Sequence, residues 1–510
     1  MQLSVPQRTV ADTGSFPVNP DGVAQWLAKL DPLESELDAR EVYRGLKHSN
    51  RLHNDVNQRR RVVSCFVPVL RELNDHLSEI SNAQPLPLTR EFSRYARLRD
   101  ALLREEAFAF KILLSDSEVP LADDARRAMQ ALARQAESVV NGYRVLPDAL
   151  IEDAHQLYAL AEEHTLLSNR EGSDLLSVQD HYRFILLLSI ADLSQQRARQ
   201  LPLVADFLRG AASEVHIERQ RTADSIAAAD YAMNLTQGSR PEPAMSLLPT
   251  QVADIRWFSV APVLYRIDAT SRQLNAGNSS VPGSDALEKQ SLTRLALALT
   301  RSRERRNARS ICYSPSRVVI GHKEICANLL HPSPLLNDHE SPWVVVNQTL
   351  NGVCLHIKSC RAGTIQVGEL VSINETEPSG ADSDDQQNHK VDVCIGVIRW
   401  VHASHSQNLS VGIEFLARSV MPVHVTRNGH EYGLSFEQNF DDGPSQIAES
   451  ALIIACKIQN KVLQTILLPS YLYHEGDKLI ATQGIRSREV VLRQCLQSNG
   501  LFSQYSLADG

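Results

Sequence analysis

The sequence predicts a multidomain α + β protein: an all-α N-terminal region, then two β units in series. Two observations carry that reading. From about residue 21 to residue 217 apolar side chains recur at three- and four-residue steps, the spacing of one helix face, and after Arg309 the period drops to two. Length agrees, since 510 residues suffice for about three domains at ~150 residues each.

Composition narrows the partners. Hydrophobic residues make up 43% and charged residues 22%, the balance of an ordinary globular protein. The formal charge of −8 argues against a nucleic-acid polymer as partner, because reading phosphates along a strand needs net basic faces. No apolar run approaches the ~20 residues that span a bilayer. Residues 1–20 lack a basic segment followed by an apolar stretch, so they read as a flexible N-terminus rather than a signal peptide. None of the eight cysteines forms a CxxC pair, which predicts buried, reduced thiols, no disulfide framework, no structural zinc and a cytoplasmic location.

Residues 21–218 are expected to form an all-α bundle or a short helical array. Over 124–146, Ala125, Ala128, Met129, Leu132, Ala136, Val139, Val140 and Tyr143 share one helical face, and Pro147 stops the run. The stretch 148–167 repeats the pattern with Leu150, Ile151, Ala154, Leu157, Tyr158 and Ala161, and 179–195 supplies a third, more apolar helix. No fixed repeat period emerges. Residues 219–300 read as a linker with connecting helices: GSRPEPAMSLLPT is the linker, VADIRWFSVAPVLYRIDAT a helix, and SLTRLALALTRSRERR a second helix running into an arginine-rich end.

Residues 301–425 are expected to be an antiparallel sheet or small barrel. Short β-branched runs at 344–347, 353–357, 370–373, 391–401 and 411–415 are bounded by turn residues, SRVVIGHKEICANLL reads as an earlier strand, and the acidic insert EPSGADSDDQQNH as a long hairpin loop. Residues 426–510 have the same texture and form a second, C-terminal β unit.

Two features of the first β unit carry chemistry. RSRERRNAR, residues 301–309, contains two RxxxR spacings, and Asn347-Gln348-Thr349-Leu350-Asn351-Gly352 lies between two strands. Alone, the first is a solvated helix end and the second a hairpin turn. Their order and spacing, with the strands VCIGVIRWV and LSVGIEFL behind them, resemble the PilZ family, marked by RxxxR before the first barrel strand and [DN]x[ST]xxG at a later strand junction. The resemblance covers residues 301–418, under a quarter of the chain.

It implies a six-stranded antiparallel β-barrel that binds cyclic di-GMP. Arg305 and Arg309 would hold phosphate and guanine, with Arg301 and Arg306 as further candidates, and Asn347, Thr349 and Gly352 would cradle the other face. Guanidinium groups suit that task because they bind phosphate and the guanine O6/N7 edge bidentately and stack on bases. Which RxxxR acts, Arg301/Arg305 or Arg305/Arg309, stays open, the second being closer to the barrel. Two departures stand out: the family more often has Asp and Ser where this chain has Asn347 and Thr349, and the stretch from Arg309 to Trp343 is long for a compact PilZ domain.

The function so implied is a cyclic di-GMP receptor that relays the second messenger through its helical domain to a protein partner. The alternative is a protein-interaction adaptor whose PilZ-like barrel no longer binds. Homo-oligomerisation is left open. There is no GxSxG, Walker loop, HExxH or GxGxxG in context, so neither an enzyme nor a bound cofactor is expected. His402 and His405 stand in a polar turn with no third metal ligand nearby, and no metal is expected there.

Overall fold

A computed structural model describes residues 3–8, 16–82, 84, 86–168, 176–220, 227, 230–244, 254–275, 284–300, 309–331, 343–357, 365–375, 392–404, 408–427, 448–458, 461–470 and 472–509. The chain divides into two compact units, one of residues 1–304 with 403–407, the other of residues 305–402 with 408–510.

The first unit opens with eight α-helices: α1 Pro20–Leu27, α2 Glu36–Arg51, α3 Val56–Asn82, α4 Arg90–Asp116, α5 Ala122–Asn141, α6 Asp148–Glu163, α7 Val178–Ile190 and α8 Leu201–Ala211. Local signals set their starts. The Asn19 side chain accepts from the Gly22 N–H at 2.7 Å with Pro20 just inside α1, and Ser177 and Asp180 cap α7 reciprocally. The predicted stripe on α5 is buried in full, from Ala125 to Val140, and Tyr143 follows it into the core. Helix α7 is buried on every side, as its apolar run foretells. No described helix is long and apolar enough to cross a membrane.

Residues 219–300 depart from the linker expected there. A four-stranded antiparallel sheet, ordered β1-β4-β2-β3, is built from β1 Ile217–Glu218, β2 Asp230–Asn234, β3 Glu242–Pro243 and β4 Ile255–Ser259. The segment expected as one helix is β4 followed by α9 Ala261–Asn275. Ile255, Arg256, Trp257 and Phe258 are all buried, so β4 shows no inside–outside alternation and its period was hidden. The next helix, α10, spans Ser284–Thr300, and its expected extension through RSRERR lies outside the described residues.

The second unit begins with β5 Ser310–Pro315, β6 Val318–Ile320, α11 His322–Leu330, β7 Trp343–Thr349, β8 Gly352–Ile357, β9 Leu370–Glu375, β10 Asp392–Ala403 and β11 Leu409–Ala417. Its strands form a seven-stranded sheet ordered β5-β7-β8-β11-β10-β9-β6. SRVVIGHKEICANLL is therefore not one strand. Gly321, at φ +102, turns the chain from β6 into α11, a corner that a residue with a side chain rarely adopts.

The closed six-stranded antiparallel barrel follows: β12 Val420–Arg427, β13 Glu449–Ile458, β14 Lys461–Pro469, β15 Lys478–Gln483, β16 Arg486–Ser498 and β17 Phe502–Asp509, ordered β12-β13-β14-β17-β16-β15. Both β units are thus present, and the six-stranded closure belongs to the C-terminal one, with β12 spanning the expected junction at 425–426. Val425, Ile466, Leu479 and Leu492 fill the barrel. A second core joins it to the seven-stranded sheet: Ile325 and Cys326 of α11 and Ile395 and Val397 of β10 pack with Ile454, Leu467 and Phe502 of the barrel.

Candidate functional site

The NQTLNG segment folds as the hairpin between β7 and β8. Thr349 pairs with Gly352, and the Thr349 hydroxyl donates to the Gly352 carbonyl at 3.1 Å, closing the turn. The hairpin is pinned to β11, where the Phe415 N–H donates to the Asn351 carbonyl at 2.9 Å and Glu414 pairs with Gly352. That approach is close. A Cβ on Gly352 would stand 2.3 Å from the Ile413 carbonyl oxygen, so the motif's glycine is required by packing of backbone on backbone.

Strand β5 lies along the other side of β7. Ser310 pairs with Gln348 and Ile311 with Asn347, which brings Arg309 opposite Thr349, at the hairpin end of the sheet. Arg309, Asn347, Thr349 and Gly352 line one cavity of about 230 Å³. Four of the expected residues therefore meet at one place. Arg301, Arg305 and Arg306 lie outside the described residues.

Arg399, Trp400 and Glu414 line the same cavity, and no motif marks them as ligand residues. Trp400 rests on Gly412 of β11: a Cβ there would meet the indole Nε1 at 1.9 Å, so only glycine leaves room for the ring. Arg399 Nε pairs with Glu414 Oε2 at 2.5 Å, both side chains about half exposed. Burial pushes the Cys354 thiol up, while nearby Arg309 pulls it back, which places the guanidinium within electrostatic reach of the cavity wall. The signals that could have found these residues were the Trp closing VCIGVIRW and the glycine of LSVGIEF. Their convergence at the hairpin follows from β11 lying between β10 and β8, a pairing that the spacing alone does not reveal.

The result is a cleft lined by two guanidinium groups, one of them paired with the Glu414 carboxylate, two amides, a hydroxyl and an indole. Such a set suits a ligand with both phosphate and a flat, hydrogen-bonding base. His402 stacks obliquely beside Trp400 with ring centroids 4.9 Å apart, and His405 lies outside the described residues. Among the described residues no group of three His, Cys, Asp or Glu could hold a metal ion.

Comparison with known proteins bears on this geometry. Residues 21–222 match the family model described as the N-terminal domain of the cyclic-di-GMP receptor FimW. Residues 337–422, which include the hairpin, Trp400 and β11, match that of its middle PilZ domain. A curated relative, the cyclic-di-GMP receptor FimW of Pseudomonas aeruginosa, is 27% identical over 222 residues, covering 41% of this chain and 37% of the relative. The chain thus matches well under half of that relative's length. No solved structure matches.

Proposed function

We propose that this chain, a PilZ-domain protein with a FimW-type N-terminal domain, is a cyclic di-GMP receptor whose ligand site is the cavity at the β7–β8 hairpin. One observation carries the reading: Arg309, Asn347, Thr349 and Gly352, set apart in sequence, line a single cavity together with Trp400. Arg309 binds a phosphate or the guanine O6/N7 edge, Asn347 offers its amide to the base edge, and Trp400 supplies a face for stacking. Thr349 and Gly352 hold the turn that presents Asn347.

The cavity of about 230 Å³ is small beside the ~300–1,000 Å³ usual for a ligand pocket. A dinucleotide therefore overhangs it, and Arg305, with Arg301 or Arg306, closes on the exposed part. Binding shifts the protein only by the difference in its affinity for two arrangements. The arginine-rich stretch 301–309 supplies contacts to the ligand, and the helical unit relays the change to a protein partner in the cytoplasm. The match of residues 21–222 to the N-terminal domain of a cyclic-di-GMP receptor supports a place for that unit in a receptor.

Isothermal titration of the full chain with cyclic di-GMP tests the reading. Micromolar affinity, about −8 kcal/mol, is within reach of a few bidentate contacts and one stacked base. Absence of heat and of any thermal shift at ~100 µM ligand, well above that affinity, would leave the adaptor reading, in which Asn347 stands for the loss of the family's more usual aspartate.

A further inference from the structure

The helical unit contains a larger polar cavity, of about 400 Å³, that no part of the proposed receptor function uses. Four arginines line it, Arg99 from α4, Arg126 and Arg134 from α5 and Arg209 from α8. Two have carboxylate partners: Arg126 pairs with Asp123 at 2.5 Å and Arg209 with Glu137 at 2.6 Å. Arg99 and Arg134 have no ion pair among the described residues. Arg99 is only 8% exposed, and its Nε has no hydrogen-bond partner. Glu106 lies near Arg134, but burial pushes its carboxyl up to about 7, so it neutralises that charge only in part at neutral pH.

A second observation points into the same space. Asn74 of α3 lines the cavity at 2% exposure, and neither its Nδ2 nor its Oδ1 has a hydrogen-bond partner among the described residues. Buried amides are almost always satisfied, so an orphaned one beside two guanidinium groups that form no ion pair among the described residues marks a place where polar matter belongs, with Asp75 and Glu137 of the cavity lining offsetting part of the positive charge. His181 lines it too, held down to about 4 by burial and by Arg126, Arg209 and Arg134, and is therefore neutral and adds no further positive charge.

We propose that this cavity binds a small phosphate-bearing anion, held by Arg99 and Arg134 with Arg126 and Arg209 behind them and by the Asn74 amide. A phosphate monoester fits better than a carboxylate. It brings close to two negative charges and three acceptor oxygens, matching two unpaired guanidinium groups that each present a planar fork. The volume lies within the range of small-ligand pockets, ~300–1,000 Å³, which leaves room for a mononucleotide-sized remainder against Leu103 and Phe184. The site is independent of the β7–β8 hairpin.

The test is calorimetry and thermal melting of the full chain with inorganic phosphate, a nucleoside 5′-monophosphate and cyclic di-GMP, with succinate as carboxylate control. The expected result is saturable binding of inorganic phosphate and of the nucleoside 5′-monophosphate, weakened at least tenfold in Arg134→Gln and in Asn74→Ala. Arg134 is partly exposed, so its variant keeps the fold even if Asn74→Ala does not. A second equivalent of cyclic di-GMP that Arg134→Gln removes would identify the dinucleotide as the phosphate source, and binding of the mononucleotide alone would identify a separate metabolite. No saturable response to any phosphate probe, equal response to succinate, or full binding by both variants would overturn the proposal.

Discussion

In the seven-stranded sheet Arg309 stands exposed at the rim of its cavity, whereas in the helical unit Arg99 is 8% exposed and lines a cavity between helices. The first guanidinium is solvated whether or not ligand is present, so its removal should register in binding and hardly in folding. The second has given up water, and what replaces it matters to the fold itself. Placement, more than residue type, decides whether an arginine reports on ligand or on stability.

The largest expected effect is a pH dependence that rests chiefly on the helical unit, with His322 of α11, also pulled down by burial, adding to it in the same sense. His155 and His181 are each pulled down from 6.5 to about 4, first by burial, with His155 set between the Tyr182 hydroxyl at 2.7 Å and the Ser239 carbonyl at 3.2 Å. The folded state binds fewer protons than the unfolded chain in that window, so stability is present above pH 6.5 and is lost on acidification toward 4. Glu106, raised from 4.5 to about 7, acts in the opposite sense, favouring the fold as pH falls. Two histidines outweigh one carboxyl, for a net loss of about 3 kcal/mol. Urea unfolding followed from pH 7.5 to 4 checks this, and the profile of His155→Gln should be shallower. A flat profile would erase the contrast between the two units.

Next in size, Arg309→Ala and Arg305→Ala should each weaken cyclic di-GMP by ~1.5–3 kcal/mol, the scale of a lost charged hydrogen bond, with the melting temperature of the free chain unchanged. A larger effect from Arg301→Ala would move the active pair one RxxxR upstream.

Gly352→Ala should instead lower stability by ~1–3 kcal/mol, since backbone must yield to a Cβ held 2.3 Å from the Ile413 carbonyl oxygen. Chemical denaturation measures it. A neutral result would mean that β11 retreats without cost.

Smallest, Asn347→Ala should cost ~1 kcal/mol of ligand affinity, while Asn347→Asp should keep or modestly tighten it by offering two acceptor oxygens to the guanine N1–H and N2–H₂ edge. Parallel titrations decide, and equal binding by Asn347→Ala would leave NQTLNG a turn and nothing more.

Much of this was legible beforehand, and the residues show why. The α5 stripe, the Pro147 boundary and the β7–β8 hairpin are local patterns, each confined to a few turns or one strand pair. Arg309 and Asn347 were legible because a spaced motif carried them. Strand β4 was not, since burial of both faces removed its alternation, and neither was the corner at Gly321, which a single glycine marks too weakly. Glu414 joins the cavity through the register of β8 on β11, a non-local fact, and Trp400 follows because β10 lies beside β11.

Strand β12 has a practical consequence for anyone who would isolate the ligand-binding region. The family match ends at residue 422, in the middle of a strand whose partners are β13 and β15. Cutting there would open the barrel and strip Ile454, Leu467 and Phe502 from Ile395 and Val397. The fragment would expose a greasy face and an unpaired strand edge, both invitations to aggregate. A soluble expression fragment has to begin before Arg305 and run to the barrel's last strand.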